Sequence, residues 1–284
     1  MSDPDTAGFY DGLAPFYALL YSNWDDAIAR QGVALSKLLA ELGIARVDTV
    51  LDAACGIGTQ ALGLLGQGHR VAASDLSAGA VARFKTELDR RGLHAAAHVD
   101  DMRELAGAAS TSAAAVIACD NSIPHLLSDD AIAQAFASFH RVLKPGGWMV
   151  ISVRDYASIE RKNPDVRPYG LRRDGDRRFL AVQVWEWNTD QYDLRMYLTT
   201  ESDGTCETRV LVTRSRRDHR TPHAADVGGR LCRRPAQGRR VVPARARRQA
   251  RRYRVKITAT IKRPYPTPPS PACCSPRPRT RLRR

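Results

Sequence analysis

The residues best suited to chemistry lie in one short stretch, Asp52-Ala53-Ala54-Cys55-Gly56-Ile57-Gly58-Thr59. An apolar run ends in a carboxylate, and a turn with two glycines then opens a helix. Glycine lets the backbone approach a ligand closely and take conformations closed to other residues. A second acid, Asp75, ends the next apolar run 17 residues after Gly58, where a carboxylate can accept both hydroxyls of a ribose. A third acid, Asp101, precedes Met102. That pair can hold an adenine amino group and cover its ring. Each feature alone has a plain alternative: an ordinary glycine turn, a helix N-cap for which Ser77 competes with Asp75, or a solvated loop. In this order and spacing they describe a nucleoside site. The first turn is not a dinucleotide fingerprint, because Ala61 stands where a third glycine belongs, and it lacks the Lys-Ser/Thr of a phosphate loop. A ligand with a ribose, an adenine and a cationic amino-acid end suits it better than one with phosphates.

These groups need a parallel sheet to hold them. Helical periodicity runs over residues 12–42, breaks near Asn23–Asp25 and ends at Gly43. Strands follow at Val47–Ala53, at "HRVAASDLS", at "HAAAHVD", at Ala114–Asp120 and at "WMVISVRD". Helices alternate with them, roughly Thr59–Gln67, Ala78–Arg91 and Asp129–Leu143, the last closed by "KPGG". This alternation predicts a doubly wound, Rossmann-like α/β sheet covered on both faces. After Phe179 the pattern changes: "FLAVQVWEW", "YDLRMYLTT" and "CETRVLVTR" read as three antiparallel strands. The expected organisation is a helical lid segment over 1–43, a nucleoside-binding sheet domain over 44–178, an antiparallel extension over 179–213, and a disordered basic Pro/Arg-rich tail over 214–284.

The net charge of +14 comes from that tail. Residues 214–284 hold 23 Lys and Arg against two acids, Asp218 and Asp226, while the whole chain has 44 basic and 30 acidic residues. The body is therefore mildly acidic, and nucleic-acid binding would rest on the tail alone. No apolar run is long enough to span a bilayer, and "MSDPDTAGFYDG" is no secretory signal, so a cytoplasmic protein is expected. The six cysteines form no C-x-x-C pair and no His/Cys metal spacing. Free thiols and no metal site are expected.

The stretch "VLDAACGIGTQALGLLGQGHRVAASDLS" resembles the opening of the class I S-adenosylmethionine-dependent methyltransferases. "VIACDNSIPHLL", "RVLKPGGWMVISVRDY" and "YDGLAPFYALLYSNWDDAIARQG" are similar to the glycine N-methyltransferase branch and its bacterial glycine/sarcosine relatives. The resemblance covers roughly residues 10–213. It implies S-adenosyl-L-methionine as cofactor, with Asp52, Ala53, Ala54, Cys55, Gly56 and Gly58 around its methionine part. Asp75 would hold the ribose, with Leu76 beside it among the cofactor-binding residues, and Asp101 and Met102 would frame the adenine. Cys119, Asp120, Asn121 and Ser122 would line the methyl-donor site, with His125 at the matching place beyond. Arg30 would reach the cofactor carboxylate, and Arg154 would hold a substrate carboxylate. Tyr21 and Trp24 belong to a segment that would fold over the site. In the catalytic group the resemblance places Tyr21, Asn121, His125 and Arg154. The implied partner is a small-molecule methyl acceptor, with no membrane, no specific nucleic acid, and homo-oligomerisation left open. An O- or C-methyltransferase of secondary metabolism shares this fold, and a nucleic-acid-binding protein or RNA methyltransferase using the tail is a third reading.

The tail departs from the family. Residues 242–249, Val-Pro-Ala-Arg-Ala-Arg-Arg-Gln, read from the second base of each codon, permit Phe-Gln-Pro-Val-Leu-Val-Gly-Lys, the family's closing strand. The same shift over His223–Leu231 permits Met-Leu-Leu-Met-Leu-Glu-Ala-Gly-Phe. A frameshift near Arg214–Arg217 is expected on this ground, and Trp148–Val153 is then expected to be an open apolar edge that promotes aggregation. Resequencing the gene tests the shift, and a continuous frame through Arg284 with the matching intact mass would exclude it.

Overall fold

The computed structural model describes residues 5–156, 159–216, 230–231 and 254–259. The chain begins with helix α1 (Thr6–Leu13), a short 3-10 helix (Tyr17–Leu20) and helix α2 (Trp24–Glu41). The expected break falls at Asn23, whose side chain caps α2 by accepting from the Asp26 amide. Strands and helices then alternate: β1 (Thr49–Asp52), α3 (Thr59–Gly66), β2 (Arg70–Asp75), α4 (Ala78–Arg91), β3 (Ala96–Val99), β4 (Ala113–Ala118), α5 (Asp129–Val142) and β5 (Leu143–Val153). A second sheet follows, formed by β6 (Asp165–Asp174), β7 (Arg177–Asn188), β8 (Gln191–Ser202) and β9 (Thr205–Arg216). Two further strands, β10 (Arg230–Leu231) and β11 (Arg254–Ala259), complete the described elements.

The first sheet is parallel, in the order β10-β11-β5-β4-β1-β2-β3. Its central strand β1 lies between β4 and β2, so the glycine turn after Asp52 emerges at the middle of the carboxyl edge. Alternate side chains feed two cores. Val50, Ala115 and Ile117 join Leu39, Leu62, Leu64 and Phe84 under α2, α3 and α4. Leu51, Val116 and Met149 join Ile132, Phe136 and Phe139 under α5. Both faces are thus covered, as the near-continuous apolar strands require.

Three expectations need correction. The antiparallel sheet has four strands, in the order β6-β7-β8-β9. The missed strand, "DVRPYGLRRD", carries Pro168 at a register shift between Pro168 and Gly170 and lies at the sheet edge. Edge position and bulge are where a proline is tolerated, which hides such a strand from alternation rules. Next, β9 runs to Arg216, so Arg214–Arg216 belong to this sheet rather than to a tail. Last, the edge of β5 is not open: Trp148–Val153 pair in parallel register with Arg254–Ala259. Some of the tail expected to be disordered is therefore strand. The shifted closing strand at 242–249 lies outside the described residues, as does most of the stretch read as Met-Leu-Leu-Met-Leu-Glu-Ala-Gly-Phe. Among the described residues, no helix is long and apolar enough to cross a membrane.

The turn is braced from behind by α2 packing on α3 at two glycines. A Cβ on Gly63 would sit 2.6 Å from the Ile28 carbonyl oxygen and 2.8 Å from Gly32 Cα. Gly63→Ala gains ~1 kcal/mol of helix propensity but must push the two helix backbones apart, an overpacking cost of ~1–3 kcal/mol. Backbone cannot yield as a side chain can, so a lower urea midpoint with an unchanged slope is expected.

Candidate active site

The glycine turn is built to expose backbone. Gly58 adopts φ +97, and a Cβ there would strike the Phe84 ring at 2.2 Å, whereas a Cβ on Gly56 would meet nothing within 4 Å. The space above Gly56 is therefore open. The Gly56 amide donates to Asp75 Oδ2 at 2.7 Å, and the Ser77 amide donates to Asp75 Oδ1 at 2.9 Å. Asp75 thus joins the ends of β1 and β2. The cap of α4 falls to Ser77, whose Oγ accepts from the Ala80 amide. Each Asp75 oxygen keeps a lone pair for a further donor.

Asp52 is 1% exposed. Its Oδ1 receives the Ala54 amide at 3.5 Å, and Oδ2 has no partner among the described residues. Burial, with the Asp75 charge nearby, pushes the carboxyl up to about 7 against the pull of the Ala54 amide. A buried acid oxygen without a donor is costly unless a ligand supplies one. Its charge would favour a cation.

At the end of β4 the backbone turns left-handed twice in succession, at Asp120 (φ 59) and Asn121 (φ 73). Two such non-glycine residues are strained, a cost accepted mainly at functional sites. The β5 strand holds them: Ser152 Oγ receives the Asp120 amide and the Ser152 carbonyl receives the Asn121 amide. The Asn121 side chain accepts from the Arg154 amide at 3.1 Å and exchanges hydrogen bonds with the Tyr156 hydroxyl. Asp120 Oδ2 accepts from the Tyr21 hydroxyl at 3.3 Å.

The N-terminal segment and the second sheet supply aromatic walls. Tyr10 stacks on Tyr17 at 6.3 Å, and Tyr17 tilts against Tyr21 at the same distance. Tyr156 lies within hydrogen-bond reach of Tyr192, which stacks on Trp185. Arg154 lies over the Trp185 ring at 5.1 Å. Burial works against the Arg154 charge, but Tyr192, Tyr156, Tyr169 and Asp120 outweigh it and strengthen the guanidinium. Burial above all raises the phenols of Tyr10, Tyr17, Tyr21 and Tyr156, so all four are neutral in ordinary buffers.

Residues 50–147 match the methyltransferase domain family. Over 137 residues the chain is 30% identical to the glycine/sarcosine N-methyltransferase of Aphanothece halophytica, covering 48% of this chain and 51% of that protein. Over 140 residues it is 32% identical to the glycine/sarcosine/dimethylglycine N-methyltransferase of Actinopolyspora halophila, covering 48% and 25%. The chain thus spans about half the length of the first curated relative and about a quarter of the second. Among solved structures, CalS10 with S-adenosylmethionine bound, an amino pentose methyltransferase from Micromonospora echinaspora, shares the fold. Its TM-score is 0.58 at 16% identity, over 70% of this chain and 80% of that one. Residues 50–147 thus form a methyltransferase domain, on a fold shared with an S-adenosylmethionine-bound methyltransferase.

The methyltransferase domain brings together most of the residues the sequence singled out. Asp52, Ala53, Ala54, Cys55, Gly56 and Gly58 form the turn, with Asp75 bonded into it. Cys119, Asp120, Asn121 and Arg154 gather at the ends of β4 and β5. His125 is held between the Tyr10 hydroxyl (2.8 Å) and the Arg214 carbonyl (3.3 Å). Burial draws its imidazole down to about 4, so it is neutral. Four more of these residues have surroundings of their own. Trp24 is core, its indole donating to Thr59 Oγ1 at 2.9 Å and its face covered by Arg91, so it props the turn from behind. Arg30 is exposed on α2, and no contact joins it to the turn among the described residues. The Asp101 carboxylate is gripped by Arg103, which holds it below the usual range although burial pushes the other way. Leu76 is 42% exposed. Sequence reasoning missed Tyr10, Tyr17, Tyr156, Tyr169 and Tyr192. The spacing of Tyr10, Tyr17 and Tyr21 by seven and four residues was the available signal for the first two, and Tyr156 closes the quoted "VRDY".

Asp52 fits the cofactor's cationic amino-acid end, and its titration makes this testable. A folded-state pKa above the unfolded value of ~3.9 means that the folded chain loses stability as pH rises from about 4 to about 7. Asp52→Asn removes that loss. Relative to wild type its Tm is expected to be higher at pH 7.5 than at pH 5, while its affinity for S-adenosylmethionine falls at pH 7.5. Calorimetry at the two pH values checks both.

Proposed function

We propose that the chain N-methylates a small amine that carries a carboxylate, of the glycine or sarcosine kind. Arg154 carries this reading. Its backbone is tied to Asn121, its guanidinium carbon lies 5.1 Å from the centre of the Trp185 ring, and Tyr192, Tyr156, Tyr169 and Asp120 act on its charge. A guanidinium binds through its in-plane N–H groups, which match a carboxylate in bidentate fashion. The two relatives matched over 137 and 140 residues, glycine/sarcosine and glycine/sarcosine/dimethylglycine N-methyltransferases, support the same class. The amino pentose methyltransferase supports a second reading, an amino sugar acceptor, which offers Arg154 no carboxylate.

When bound, S-adenosylmethionine supplies an electrophilic methyl group on a sulfonium. Asp52 holds the ammonium end of that ligand and Asp75 the ribose hydroxyls, while the open space above Gly56 admits it. Arg154 fixes the acceptor by its carboxylate, so the amine arrives aligned, and alignment is most of what such a displacement needs. The amine must be neutral when it attacks. Asp120, fixed by its left-handed turn and by Tyr21, presents a negative oxygen to the ammonium that forms. The faces of Tyr10, Tyr17 and Tyr21 stabilise the same cation. The N-terminal segment excludes water, which would weaken each of these contacts.

S-adenosylhomocysteine release is the readout. Glycine or sarcosine is expected to turn over, and turnover of an amino sugar with none on amino acids would overturn the reading. Arg154→Ala is expected to raise the acceptor KM on the order of 100-fold, the loss of a charged hydrogen-bonded pair. Cofactor affinity should stay within about twofold, and Arg154→Lys should recover only some of the loss, because an ammonium lacks the planar fork.

A further inference from the structure

Two consecutive residues of α1 fasten that helix on opposite sides of the central strand. Tyr10 reaches His125, which lies beyond β4. Asp11 reaches the other way, to the first turn of α4 beyond β2. Its Oδ1 accepts from Ser77 Oγ at 2.5 Å and from the Gly79 amide at 2.8 Å. In the sheet, β1 lies between β4 and β2, so α1 crosses over the carboxyl end of β1 and its glycine turn. Ser77 is also the cap of α4 and gives its amide to Asp75. Asp11 is thus linked through one residue to the acid assigned to the ribose. Gly79 is shaped for the contact: a Cβ there would lie 3.1 Å from Asp11 Cα and 3.2 Å from Asp11 Oδ1.

We propose that α1 is a strap across the cofactor site and that Asp11 is the positioning residue that fastens it to the α4 terminus. Asp11 is itself exposed, and its side chain bonds to Ser77 and Gly79. It acts through Ser77 and Gly79. Entry and release of the cofactor then require the Asp11 bonds to open, so they set the rate of release more than the chemistry. The cofactor side of this inference rests on the function proposed above, whereas the fastening of α1 does not.

Three variants of the full chain test it: Asp11→Ala, Asp11→Asn and Gly79→Ala. In Asp11→Asn the side-chain oxygen still accepts from Ser77 and Gly79. Gly79→Ala improves the helix propensity of α4 while pushing Asp11 away, so a merely structural role predicts no loss from it. Amide exchange of residues 6–13 is measured on the free chain. Asp11→Ala and Gly79→Ala are expected to raise it about fivefold or more, as loss of a hydrogen bond to a charged group implies. Asp11→Asn should stay within about twofold, and Gly79→Ala should keep or raise the urea midpoint. S-adenosylmethionine dissociation, followed by stopped flow, should accelerate in the same two variants, with the cofactor KM rising. Exchange in Asp11→Ala or Gly79→Ala within about twofold of wild type overturns the strap. If wild type binds no S-adenosylmethionine, the functional reading falls and the exchange arm still decides the strap.

Discussion

The bond from the Gly56 amide to Asp75 is the contact on which the site depends. It joins the turn after β1 to the end of β2 across the carboxyl edge of the sheet. The turn can approach this closely only because Gly58 takes a left-handed conformation against the Phe84 ring, where any side chain would collide. With the turn fixed, Asp52 is sealed beneath it with one oxygen unpartnered among the described residues. With Asp75 fixed, Ser77 is placed to cap α4 and to receive α1. The core below, the open space above Gly56 and the covering helix are set by one short hydrogen bond and one glycine.

The electrostatics around that bond follow one sign. Asp52, Asp75 and Asp120 bring carboxylates to the carboxyl edge, while burial keeps the phenols of Tyr10, Tyr17, Tyr21 and Tyr156 neutral. Arg154 stands on the side of the second sheet, 5.1 Å from the centre of the Trp185 ring, which Arg167 also covers at 3.8 Å. The site thus divides into a carboxylate-lined region that favours positive charge and a flank that carries cations.

What was legible in the sequence was the local framework. Glycines and acids at strand ends, and a helix stopped by Gly92, follow from backbone rules within a few residues, and they fell where expected. β6 was illegible because Pro168, Gly170 and a run of charges mask an edge strand whose pairing with β7 is long-range. The surroundings of Arg30 and Trp24 were illegible for a related reason: helical spacing gives a face but not what that face meets. Trp24 turned to Thr59 and Arg91, and Arg30 to solvent. The Asp101–Arg103 pair is local and could have been suspected from the charge two residues away. The tyrosine walls draw on α1, the 3-10 helix, β6, β8 and the end of β5, and no single stretch announces such an assembly.

The joint between the two sheets bears on how this chain tolerates its own C-terminal text. His125 is gripped by the Arg214 carbonyl, Ser215 closes in on the same ring, and Arg216 pairs with Asp129 at the start of α5. Among the described residues, the wall contributed by β9 thus reaches as far as Arg216. Beyond it, β11 adds backbone to the far side of the parallel sheet, with β5, β4 and β1 standing between it and β2, which ends in Asp75. The described backbone that walls the site and the described backbone that shields the β5 edge therefore belong to separate segments of the chain.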